Sequence, residues 1–225
     1  CSGQDLDGTF VVSVPVLALA VNQMLTELGL STFSQDVIRG WVGNGANILV
    51  QRALSGNSDI SPYLDGTLKA RALNIFYQTY QTHNCIETRL YPDVINTLTE
   101  LKKRGYRLAI ITNKPERFIT PIIDGLELNG LFELIIGGDT LEKRKPDPLP
   151  LHYACQQLSV NTDQCVMIGD SKNDILAAKA ASMQSVALTY GYNYGENISI
   201  YQPELIIDDF ADLLSALNSV TAFQK

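Results

Sequence analysis

After Tyr91 the chain alternates short apolar runs with helical stretches, and nothing else in the sequence constrains its fold as strongly. The runs Arg107–Ile111, Leu134–Ile136, Cys165–Ile168, Ser185–Leu188 and Leu205–Ile207 read as strands. They carry apolar residues at successive positions, as strands do when a parallel sheet is covered on both faces. Helices are predicted between them at Pro92–Lys103, Pro115–Leu126, Leu149–Leu158 and Asn173–Ala181, with a last one over Asp209–Ser219. The stretch from Val14 to about Tyr91 has a different rhythm. Leu17, Val21, Met24, Leu25 and Leu28 recur at three- and four-residue steps before Gly29. Further helices are predicted at Gln35–Trp41, Ala46–Leu54 and Pro62–Tyr80, with no strand among them. The organisation expected is an α/β core of residues 1–13 and 88–225, interrupted by an all-helical insertion over 14–87.

Composition narrows the function. Hydrophobic residues make up 45% of the 225 positions, enough for a substantial core. The balance of 17 basic and 24 acidic residues, net −7, argues against nucleic acid or an anionic membrane as partner. A small anionic substrate needs only a local cationic pocket. Cys1, Cys85, Cys155 and Cys165 show no C-x-x-C spacing, and His83 and His152 are the only histidines, so a zinc site is not expected. Reduced thiols in a cytoplasmic protein, a monomer or a homodimer, are the reading. The apolar run Phe10–Val21 is too short to span a bilayer and follows acidic residues rather than basic ones.

The densest chemistry lies in Asp5-Leu6-Asp7-Gly8-Thr9. In an extended segment residues i and i+2 point the same way, so Asp5 and Asp7 can reach one ligand. Two carboxylates so close repel each other, and a cation, most simply Mg²⁺, relieves that. Three more segments sit at the carboxyl ends of predicted strands, where open α/β sheets bind ligands. Thr112 and Asn113 offer a hydroxyl and an amide ahead of a helix, either a phosphate site or an ordinary cap. Lys145-Pro146-Asp147-Pro148 places an ammonium on a rigid turn, and Gly169-Asp170-Ser171-Lys172-Asn173-Asp174 holds two carboxylates, one able to cap the helix while the other binds metal.

These four segments, in this order, resemble the haloacid dehalogenase superfamily of phosphohydrolases, over nearly the whole chain. R-G-W-V-G-N-G-A (Arg39–Ala46), I-T-N-K (Ile111–Lys114), I-G-G-D-T (Ile136–Thr140) and L-T-Y-G-Y-N-Y-G (Leu188–Gly195) look like its phosphoglycolate phosphatase family. The resemblance implies a Rossmann-like core with residues 14–87 as a helical cap. It implies a Mg²⁺-dependent phosphatase that takes a small phosphorylated metabolite, 2-phosphoglycolate, to glycolate and phosphate. By it, Asp5 is the nucleophile, Asp7 the general acid and then base, Thr112 a phosphoryl ligand and Lys145 the charge-neutralising cation among phosphate, Asp5 and Asp170. Asp5, the Asp7 carbonyl and Asp170 would hold Mg²⁺, with Asp174 in support. Asn113, Lys114, Arg39 and Asn44 are the candidate substrate contacts, and Trp41 is read as cap core. The same branch includes phosphatases of other small substrates, and an inactive homologue that only binds metal or phosphate is the alternative of a different class. A 2-haloacid dehalogenase is disfavoured because Asp7 is present.

Two departures from the family pattern stand out. Family members carry an apolar strand of about five residues before the first motif, a common strand length, whereas this sequence offers Cys1-Ser2-Gly3-Gln4. The expectation is therefore a missing central strand, with unpaired main-chain groups on its two neighbours, in a partial or damaged gene product. A truncated start accounts for Cys1 more simply than lipidation of a mature N-terminus does. Val12 and Val16 stand where the branch usually has acidic residues, near the hinge between core and cap.

Overall fold

The computed structural model describes residues 1–221, leaving aside the side chains of residues 84–87, 220 and 221. A six-stranded, all-parallel sheet has the order β5-β4-β1-β6-β7-β8. Its strands are β1 (Ser2–Gln4), β4 (Leu108–Ile111), β5 (Leu134–Ile136), β6 (Val166–Gly169), β7 (Gln184–Leu188) and β8 (Leu205–Ile207). Alternate residues along the strands feed opposite faces, as the two-residue period requires. Leu108, Ile110, Val166, Ile168, Val186 and Leu188 pack with helices α5 (Val94–Lys103), α6 (Ile119–Gly125) and α9 (Leu213–Thr221). Ile111 and Met167 face α7 (Leu149–Gln157) and α8 (Lys172–Ala180) instead. Both faces are thus covered, which is why these strands read as unbroken apolar runs.

The missing strand is a prediction the structure corrects. Ser2–Gln4 forms β1 at the centre of the sheet, with Ser2 opposite both Leu108 and Val166, and Gln4 opposite both Ile110 and Ile168. The neighbours' main-chain groups are paired: Ser2 N donates to Arg107 O at 2.9 Å, and Val166 N to Cys1 O at 3.1 Å. A central strand is held by hydrogen bonds on both edges, so apolar side chains are not a condition for it. Where they would pack, space is short. A Cβ on Gly3 would lie 2.8 Å from the Ile111 side chain, and the Gln4 amide turns back to donate to Ser2 Oγ at 3.4 Å.

Residues 14–87 hold α1 (Val14–Glu27), α2 (Gln35–Arg39), α3 (Ala46–Ser55) and α4 (Gly66–Glu87). Pro62–Leu64 stays outside α4, because the Asp65 carboxylate caps the helix by accepting from Leu68 N at 2.8 Å. Likewise α5 begins at Val94 rather than Pro92, since Asp93 is left-handed at φ 58°. The predicted absence of strands between Val14 and Tyr91 is corrected at its end, where Arg89–Leu90 is a strand. β2 (Val11–Val12) pairs antiparallel with β3 (Arg89–Leu90), Val12 opposite Arg89. This ribbon ties together the two points where the chain enters and leaves the helical segment. Val16, Trp41, Phe76 and Tyr80 are buried in an apolar cluster of these helices, which also takes in Phe118 and Tyr192. Cys1, Cys155 and Cys165 are free thiols, and the Cys85 side chain lies outside the described residues.

Candidate active site

The carboxyl ends of β1, β4 and β6 converge beneath the helical segment. Asp5 follows β1 directly, its main-chain N–H donating to Ile168 O at 2.9 Å, which fixes where its carboxylate emerges. Two residues on, Asp7 lines the same cavity. Gly8 then turns at φ 82°, and a Cβ there would sit 2.2 Å from an Asp170 carboxylate oxygen, so glycine lets the loop close onto Asp170. The cavity opens here beneath the helices. Asp5, Asp7, Thr112, Asn113, Lys114 and Asp170 form its polar side; Leu17, Val42, Leu49, Phe76, Tyr80 and Phe118 form an apolar one.

Two lysines sort the acidic residues into two sets. Lys145, 1% exposed, lies 2.6 Å from Asp174 and 3.2 Å from Asp5 and also donates to Ile111 O. Its ion-pair partner beside Asp5 is therefore Asp174, where the resemblance implied Asp170. Asp174 is fully engaged: Oδ1 accepts from Lys145, and Oδ2 from the Ser171 N–H at 3.0 Å and hydroxyl at 2.8 Å, capping α8. The second lysine, Lys114, donates to both Asp7 oxygens, at 2.8 and 2.7 Å.

Among the described residues Asp170 has only neutral donors, the Thr9 hydroxyl at 2.6 Å and the Tyr192 N–H at 2.5 Å. Asp5, Asp170 and Asp174 can bring one oxygen each within 4.8 Å of one another. Burial, and then the charges of Asp5 and Asp174, push Asp170 well above the usual carboxylate range. Burial also raises Asp5 to about 6, with Lys145 opposing that rise and Asp174 adding to it. Burial disfavours the Lys145 ammonium, but Asp174 and Asp5 outweigh it and hold its pKa above the ordinary value. Burial works the same way on Lys114, and there Asp7 outweighs it. The arrangement is an oxygen-rich cluster with an excess of negative charge.

The remaining predicted residues divide. Thr112, at the end of β4, is buried at the cavity wall, and its Oγ1 accepts from Lys114 N at 3.3 Å. Asn113 donates from Nδ2 to Gly43 O at 3.0 Å and Lys145 O at 2.9 Å, so it ties the Gly43 loop to the core. Arg39 and Asn44 are not brought to the cavity. Arg39 is exposed, donates to Tyr190 O at 2.9 Å and Gly191 O at 3.0 Å, and lies over the Tyr192 ring. Asn44 sits between Gly43 and Gly45, which line the cavity, without lining it itself. Thr9, Tyr80 and Tyr192 also belong to the site, although no spacing in the sequence marks them. Tyr192 orients Asp170 through its N–H, and its hydroxyl accepts from Ser13 N at 3.1 Å. Tyr192 belongs to the Leu188–Gly195 segment, which spacing alone does not connect to Asp170.

The haloacid dehalogenase-like hydrolase family profile matches residues 4–188. A phosphoglycolate phosphatase of Colwellia psychrerythraea is 60% identical over 213 residues, 95% of this chain and 94% of that protein. One of Pseudomonas putida is 47% identical over 211 residues, 93% of this chain and 76% of that protein. The crystal structure of a predicted phosphoglycolate phosphatase from Haemophilus somnus superposes with a TM-score of 0.90 at 39% identity, covering 96% of each chain. With the matched profile spanning the floor, the lysines and the acidic cluster, this chain belongs to the haloacid dehalogenase-like hydrolases.

Proposed function

We propose that this chain is a phosphatase that hydrolyses 2-phosphoglycolate to glycolate and phosphate through an aspartyl-phosphate on Asp5. The reaction class is supported above all by the position of Asp5: a carboxylate at the end of the central strand, 3.2 Å from the Lys145 ammonium and open to the cavity. The relatives named phosphoglycolate phosphatase, at up to 60% identity, support the substrate.

An Asp5 carboxylate oxygen attacks phosphorus, forming a P–O bond as the bond from phosphorus to the glycolate oxygen breaks. Asp7 protonates the departing alkoxide, and then takes a proton from the water that attacks the phosphoryl group, releasing phosphate and restoring Asp5. The Thr112 hydroxyl and the Lys145 ammonium steady the transferring oxygens. The cluster fits Mg²⁺: its donors are all oxygens, and buried Asp170 has no cationic partner of its own among the described residues. Asp5, the Asp7 main-chain carbonyl and Asp170 would hold the ion. Asp174, with both oxygens engaged, supports them by fixing Lys145. When bound, the ion offsets the carboxylate charge and that of the phosphoryl oxygens.

Residues 14–87 act as the cap over a core of 1–13 and 88–225, with the β2–β3 ribbon as the junction. Closure of the apolar side, with Leu17, Phe76 and Tyr80, excludes water from the attack. No helix among the described residues is long and apolar enough to cross a membrane, and the free thiols suit the cytoplasm. The test is phosphate release from a panel of phosphorylated metabolites, with and without EDTA. Turnover that is metal-dependent and highest on 2-phosphoglycolate is the expected result; metal-dependent turnover that favours another substrate would overturn the assignment.

A further inference from the structure

The proposed substrate brings a second anion, its carboxylate, into a cavity already rich in carboxylates. Among the described residues, Lys114 is the only cation that lines this cavity together with Asp5. The other buried lysine, Lys145, is committed to Asp5 and Asp174 at the phosphoryl end. Lys114 stands beside Asp7, with Nζ 2.8 and 2.7 Å from its two carboxylate oxygens. An ammonium carries three N–H donors, one more than those two oxygens take up.

The reaction itself fixes where the substrate's carboxylate goes. Asp7 must meet the ester oxygen that it protonates. In 2-phosphoglycolate a single methylene separates that oxygen from the carboxylate, so a substrate engaged with Asp7 carries its carboxylate to the side of the Asp7 counter-ion. Tyr80, from α4, meets Lys114 there: Nζ lies 5.0 Å from the centre of its ring. On the apolar side of the cavity Tyr80 alone bears a hydroxyl. Its ring is held in place, stacked on Phe76 at 5.7 Å and edge-on to Phe118 at 4.9 Å. The phenol acts on the lysine as well. Burial disfavours the Lys114 ammonium, and Asp7 and then Tyr80 outweigh that effect.

We infer that Lys114 and Tyr80 form the subsite for the substrate's carboxylate, the ammonium bridging it to Asp7 and the phenol hydroxyl donating to it from α4. The inference rests on the reading of the chain as a 2-phosphoglycolate phosphatase. Apolar surroundings strengthen both contacts, and a ring already held by its neighbours costs little to order. A phosphomonoester with no acidic group one methylene from the ester oxygen gains neither contact, so the pair discriminates between substrates.

The test compares the unaltered chain, Tyr80→Phe and Lys114→Met on 2-phosphoglycolate and on ethyl phosphate, which keeps a two-carbon phosphoester and lacks the carboxylate. Tyr80→Phe keeps the aromatic stack and removes only the hydroxyl. It should lower the ratio of kcat/KM on 2-phosphoglycolate to that on ethyl phosphate by about 10-fold, carried by a higher KM for 2-phosphoglycolate. Lys114→Met also strips Asp7 of its counter-ion, so it should slow both substrates and lower the ratio further, by about 100-fold. A ratio unchanged in Tyr80→Phe, or an equal loss on both substrates in either variant, would overturn the carboxylate subsite and leave the phosphatase reading standing. An unaltered chain that shows no preference for 2-phosphoglycolate would overturn the substrate reading, and this inference with it.

Discussion

Lys114 Nζ lies 2.7 and 2.8 Å from the two carboxylate oxygens of Asp7, which makes a residue read as a substrate contact the counter-ion of the proposed acid and base. Both side chains are largely withdrawn from water, at 3% and 16% exposure. Removing one member of such a pair leaves a charge without compensation. Lys114→Met should therefore lower stability by about 3 kcal/mol, the low end for a broken buried pair because Asp7 keeps some access to water. Urea unfolding, beside Asp7→Asn and the double variant, measures the coupling. Additive losses would mean the pair contributes nothing as a pair.

Lys145 bears more. It is the only cation within ion-pair distance of Asp5 or Asp174 among the described residues. Lys145→Met is expected to cost about 3–5 kcal/mol in the metal-free chain and to remove turnover. Mg²⁺ should recover part of the stability but not the activity. A variant melting with the unaltered chain in EDTA would contradict this account of the cluster.

The raised carboxyls of Asp5 and Asp170 set a pH dependence. Asp5 has its ordinary value, 3.8, when unfolded and about 6 when folded, so the folded state binds the proton more tightly. The stability this provides is complete below about pH 3.8 and is lost as pH rises through about 6. Asp170 shifts in the same direction. In EDTA, Asp170→Asn should therefore melt above the unaltered chain at pH 7.5, and the gap should shrink toward pH 4. Mg²⁺ should raise the melting temperature of the unaltered chain far more than that of Asp170→Asn. Scanning fluorimetry across pH decides it, and a variant melting lower at pH 7.5 would refute the repulsion argument.

Arg39 gives a contrasting expectation. Its guanidinium bridges α2 to the carbonyls of Tyr190 and Gly191 and does not line the cavity. Arg39→Ala should change hydrolysis of 2-phosphoglycolate and of ethyl phosphate by the same factor, with a stability loss of about 1 kcal/mol. A selective loss on 2-phosphoglycolate would restore Arg39 as a carboxylate contact.

The sheet was legible where burial on two faces wrote unbroken apolar runs, as in Leu108–Ile111 and Val166–Ile168. β1 escaped because Ser2, Gly3 and Gln4 are held by main-chain pairing to both neighbours, which leaves no apolar trace. β2 and β3 escaped because two residues are too few to establish a period. Within the site, Asp5 and Asp7 were legible from spacing alone, and the other members entered through motif order. Partnership was not legible. That Lys145 pairs with Asp174, that Lys114 pairs with Asp7, and that Arg39 turns to Tyr190 depend on where separate loops meet. Local sequence carries no record of those meetings.

The central claim is that Asp5 carries the phosphoryl group. Mass spectrometry of the chain acid-quenched during turnover of 2-phosphoglycolate with Mg²⁺ tests it most directly. The account predicts one added phosphoryl group on the peptide bearing Asp5, labile to base and absent from Asp5→Asn. Phosphate release that persists in Asp5→Asn, or a phosphoryl group on any other residue, would contradict it.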